Sequence, residues 1–136
     1  MLKFISTIST AELGQEVIAE FLANGGYDHH LRRLRRAFRE QVARMTDAIE
    51  RHFPPETRVT RPVGGFVLWV ELPPVVDVLE LFHAAAAKGV SLGPGVIFSP
   101  TGRYTHHLRV SCGFPWSDRL ETAVRDVGNA AARLAA

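Results

Sequence analysis

Cysteine is nearly absent from this chain. Cys112 is the single one in 136 residues, so no internal disulfide can form and an intracellular setting is expected. Lysine is scarce as well. Among 16 basic residues only Lys3 and Lys88 are lysines, which leaves two side chains for any Schiff-base chemistry. No apolar run approaches the roughly 20 residues that span a bilayer. The opening MLKFISTIST lacks the long apolar stretch and cleavage site of a signal peptide. A cytoplasmic location and no membrane partner are therefore expected. Internal repeats and low-complexity tracts are missing too. No carboxylate pair, Ser/His/Asp set or phosphate-binding glycine loop stands at meaningful spacing, and GPG at 93–95 is too weak to count as one.

What is present fits one globular domain. Hydrophobic residues make up 46% and charged residues 22%, and the net charge of +2 demands neither nucleic acid nor membrane. Ser9 and Glu12 have capping-box spacing, and Leu13, Val17, Ile18, Phe21 and Leu22 follow at helical period. NGGYD at 24–28 stops that helix. A second is predicted from about Asp28 to His52 on the stripe Leu31, Leu34, Phe38, Val42, Met45 and Ile49. It would reach roughly 35 Å, long enough to bridge two bodies. Pro54 and Pro55 end it, and Arg58–Arg61 reads as a short extended piece. Residues 66–72 then alternate, with Phe66, Leu68, Val70 and Leu72 against Val67, Trp69 and Glu71, as in a half-buried antiparallel strand. Asp77 caps a helix running to Lys88, with Gly89 as its stop. VSL at 90–92 reads as a short strand, and 93–103 as a loop. A strand at 107–112 and a last helix capped by Ser117 complete the order. The fold class is α+β: a small antiparallel or mixed sheet with helices on one face, preceded by a long connecting helix.

Five arginines fall within 32–39. They lie between the apolar positions, so they read as the solvated flank of an amphipathic helix rather than a nucleic-acid surface. His29-His30 and His106-His107 are read as no metal site, because adjacent residues on one element point apart and no further ligand stands at usual spacing. Cys112 shares a strand face with Leu108 and Val110 and reads as a buried structural thiol. Lys88 closes a helix, where a cation suits the dipole. Arg109 is the unusual residue. A guanidinium in an apolar strand needs a partner, either a cross-strand carboxylate or the carboxylate of a ligand held bidentately. Spacing alone leaves both open.

Three blocks carry a resemblance. STAELGQEVIAEFLANGGYDHHLRRLRRAFREQ, RPVGGFVLWVELP and KGVSLGPGVIFSPTGRYTHHLRVSCGFPW, in that order, resemble the C-terminal end of fold-type-I aminotransferases, enzymes that use pyridoxal phosphate (PLP). The nearest likeness is to the MocR subgroup of GntR-type transcriptional regulators, which join a winged-helix DNA-binding domain to an aminotransferase-like domain. The resemblance implies a tail of the large PLP-binding domain at 1–27, a connecting helix at 28–53 and the small C-terminal domain at 54–136. It implies that Arg109 grips the α-carboxylate of an amino-acid substrate or effector, with Phe98 and Pro94 on the loop beside the cleft. The PLP lysine and the ring and phosphate ligands belong to the missing large domain, so no catalytic and no cofactor-binding residue is expected in this chain, and the chain alone should be inactive. A homodimer is expected, and DNA only through an upstream winged-helix domain. A stand-alone interaction domain is the third class of reading.

Overall fold

The structure, a computed structural model, describes residues 12–136. Ser9 and Lys3 lie outside the described residues. Two compact units divide at Arg35/Arg36. In the first, α1 (Glu12–Ala23) presents Leu13, Val17, Ile18, Phe21 and Leu22, all exposed. Gly25, at φ 78°, and the bond from Gly26 N to Asn24 Oδ1 make the turn after it. The long helix α2 (Gly26–His52) starts two residues before the predicted Asp28 and runs on into the second unit.

The second unit holds the sheet. Its strands are β1 (Arg58–Val59), β2 (Val67–Glu71), β3 (Gly93–Pro94) and β4 (His107–Ser111), in spatial order β1-β2-β4-β3 and antiparallel throughout. Alternation assigns the faces. Leu68, Val70 and Leu108 are fully buried and join Cys112. They pack with Met45, Ala48 and Ile49 of α2, with Leu81 and Ala85 of α3 (Val78–Ala86), and with Val124, Val127 and Ala131 of α4 (Asp118–Ala135). The Cys112 thiol is pushed up to about 11 by burial, as expected of a structural thiol.

Of the three predicted caps, Ser9 is outside the described residues and the other two form. Asp77 accepts from Leu79 N at 2.7 Å and Glu80 N at 3.1 Å, and Ser117 accepts from Leu120 N at 3.3 Å. Two boundaries need correction. The helix predicted to reach Lys88 ends at Ala86, and Gly89 follows at φ 73°. The strand predicted at 90–92 is displaced to Gly93–Pro94. Val90 and Leu92 instead pack against the core from an irregular segment, which is why their apolar pattern looks like a strand.

The end of α2 is fastened to α4. His52 Nε2 lies 3.0 Å from Glu121 Oε1, and Arg51 Nη2 lies 3.3 Å from the same oxygen. The His52 hydrogen bond is the main reason that the Glu121 carboxyl is held below its usual range.

Candidate functional site

The sheet face turned away from this core carries the polar side chains. Register puts Val67 opposite Ser111, Trp69 opposite Arg109, and Glu71 opposite His107. On the other side of Arg109 stands Gly93 of β3. A Cβ there would stand 3.0 Å from Arg109 O and 3.3 Å from Arg109 Cβ, so the glycine lets β3 approach β4 closely at this pair. Arg109 is exposed, and among the described residues no carboxylate pairs with it. Its Cζ lies 5.7 Å from the ring centroid of Phe98 instead. A cross-strand ion pair is therefore not what the arginine does among these residues.

Aromatic rings frame it. Trp69 meets Phe98 edge-on at 5.8 Å and Tyr104 at 5.3 Å, and it lies against His107 at 5.6 Å. Phe98 ends a 3-10 turn, Gly95–Phe98. Tyr104 enters the turn Tyr104–His107 at φ 67°, a left-handed conformation that costs a side-chain-bearing residue of order 1 kcal/mol. Three bonds hold that turn. His107 N donates to Tyr104 O, Val78 N to Thr105 O at 2.9 Å, and Leu72 N to His106 O at 2.8 Å. The turn is thus fixed to β2 and to the start of α3. His107 is kept below its ordinary pKa, first by burial and then by His106 beside it, with Glu71 opposing.

No protein-family model matches the chain. Curated relatives and solved structures do. The uncharacterised HTH-type transcriptional regulator YjiR of Escherichia coli is 36% identical over 119 residues, 88% of this chain and 25% of its own length. The 2-aminoadipate transaminase of Thermus thermophilus is 34% identical over 123 residues, 90% of this chain and 31% of its own. The crystal structure of LysN, the alpha-aminoadipate aminotransferase of that organism, complexed with N-(5′-phosphopyridoxyl)-L-leucine, superposes with a TM-score of 0.80 at 34% identity, covering 98% of this chain and 34% of that one. This chain carries the C-terminal part of the aminotransferase fold. It spans about a quarter to a third of the length of the relatives it matches, which include both aminotransferases and MocR-type regulators.

In this segment, two of the three residues singled out from the sequence come together. Arg109 and Phe98 share the exposed face. Pro94 stands opposite Leu108 and is buried, so it is on the core side and launches the 3-10 turn. Alternation already places Glu71 on the Trp69 face, but the two histidines are expected from the sequence to point apart and Tyr104 is not singled out. The signal available was RYTHH: a turn-forming segment just ahead of a strand, where strict alternation does not hold.

A PLP site does not fit the described residues. Lys88 is ion-paired with Asp126 of α4 at 3.3 Å, in the helix layer, and Lys3 lies outside the described residues. The Arg109 face therefore offers a carboxylate partner but no described amine for the cofactor's aldehyde. No helix among the described residues is long and apolar enough to cross a membrane.

Proposed function

We propose that in a longer protein this chain closes over a PLP site and fixes the α-carboxylate of an amino acid through Arg109. The supporting observation is an arginine on the open face of the sheet, with no carboxylate paired to it among the described residues and the Phe98 ring 5.7 Å away. Guanidinium geometry suits two parallel hydrogen bonds to a carboxylate. Trp69 and Phe98 would shield that pair from water, and the bonded turn behind them limits its motion. Holding the carboxylate fixes where the amino acid's Cα lies relative to the reacting groups of the large domain, which is the positioning share of catalysis. The ligand in the LysN structure, an amino acid joined to a phosphopyridoxyl group, is of the class expected here.

The same reading assigns 1–27 to the tail of the large domain, 28–53 to the connecting helix and 54–136 to the small domain, with a homodimer as the working assembly. PLP belongs to the longer protein. A second reading has specific support in the HTH-type regulators among the relatives. There the same grip would turn amino-acid or PLP binding into a domain shift, and DNA would be contacted only by a winged-helix domain. Presence of such a domain ahead of this segment discriminates the two.

Incubating the 136-residue chain with PLP, reducing with borohydride and mapping adducts by mass spectrometry tests the cofactor assignment. The expected result is no stoichiometric adduct, with scattered labelling of Lys3, Lys88 and the N-terminus at most. One fully labelled lysine whose absorbance responds to amino acids would show a complete, smaller site and overturn the reading.

A further inference from the structure

We propose that Glu71, His106 and His107 form a binding site for a divalent transition-metal ion, zinc in the first instance. The three residues each bring one donor atom, and these lie within 4.8 Å of one another. His106 Nε2 stands 4.0 Å from Glu71 Oε1, and the two imidazole centroids are 4.5 Å apart. Neighbouring histidines on a straight strand would diverge. Here His106 belongs to the turn and His107 is the first residue of β4, so both rings swing to the same side. Glu71 faces His107 directly across the β2–β4 register. His107 Nδ1 is buried and has no hydrogen-bond partner, an uncommon condition for a polar atom.

The donor set selects the ion class. Two imidazoles and one carboxylate suit zinc, nickel or cobalt better than magnesium or calcium, which prefer oxygen ligands. Zinc bonds of about 2.0–2.2 Å put tetrahedral donors about 3.3 Å apart. The observed spacing would have to close by about 1.5 Å at most. Three protein donors leave a coordination position open to water or to an exchangeable ligand.

One group opposes the site. Arg58 Nη1 lies 3.8 Å from Glu71 Oε2, so the carboxylate divides its oxygens between β1 and the histidines. Arg58 is highly exposed and can retreat into water. The site shares the open face with Arg109 two register pairs away, but its evidence is separate. It stands or falls without the carboxylate grip.

The test is metal binding by the full 136-residue chain, using Co2+ absorption spectra and Zn2+ displacement, with urea unfolding as a check on folding. One ion per chain is expected. Glu71→Gln and His106→Asn should each weaken it by roughly tenfold or more, Arg58→Gln should tighten it, and replacing His29 and His30 with glutamine should change nothing. His107→Gln follows the same expectation where its unfolding curve matches the parent chain; otherwise the first two variants decide. No binding, binding unaffected by Glu71→Gln and His106→Asn, or binding lost with His29 and His30 would each overturn the proposal.

Discussion

Gly128→Ala should destabilise the chain by about 2 kcal/mol, although alanine is the better helix former. Inside α4, replacing glycine would by propensity alone gain about 1 kcal/mol. Packing reverses the sign. A Cβ at residue 128 would stand 2.4 Å from His52 O and 2.7 Å from its carbonyl carbon, and backbone cannot rotate aside as a side chain does. Overpacking of this kind costs about 1–3 kcal/mol or more, and here it carries a second penalty. Glu121 lies two helical turns before Gly128 and holds His52 and Arg51. Backing α4 away to admit a methyl group would stretch those pairs too. Urea unfolding measures the change, and the midpoint of thermal unfolding should fall by roughly 6–8 °C. A more stable variant would mean that α2 and α4 are not in close contact at His52.

Gly95→Ala should have an effect of similar size and add a loss at the candidate site. Its Cβ would meet Tyr104 O at 2.6 Å and His107 O at 2.8 Å. The 3-10 turn and the Tyr104–His107 turn cannot both keep their places. The expected cost is about 1–3 kcal/mol, with separation of Trp69 from Tyr104 and His107. The near-ultraviolet circular dichroism of Trp69 should weaken in step. Lost stability with that signal unchanged would mean the strain is relieved elsewhere and the aromatic frame does not depend on this glycine.

Much of the fold is legible in the sequence because single-residue periods report burial. The stripe ending in Met45 and Ile49 does meet the core, and the alternation of Leu68 and Val70 with Trp69 does divide the sheet's faces. Asp77 and Ser117 are recognisable as caps because the cap is a local bond. Features that depend on what lies opposite are not legible. Nothing in the sequence tells Gly128 or Gly95, pressed on backbone, from Gly64, which has nothing within 4 Å. The β3 shift has the same origin, since Val90 and Leu92 are apolar for packing while Gly93 and Pro94 make the pairing. The expectation that His106 and His107 diverge assumed extended backbone, and the turn at Tyr104 removes that assumption. For Arg109, residue pattern set out two partners for the guanidinium. The structure supplies the exposed face and the lack of a carboxylate partner among the described residues.

Arg109 carries the central claim, and the most direct test is amino-acid and PLP affinity of the longer protein with Arg109→Ala and Arg109→Lys. Removing one charge-assisted pair should cost about 1.5–3 kcal/mol, so amino-acid affinity should fall by roughly 10- to 150-fold. Lysine should restore part of it, lacking the two-pronged geometry, while PLP affinity stays unchanged. Equal loss of both affinities, or no loss of either, would contradict the account and make Arg109 a structural or bystander residue.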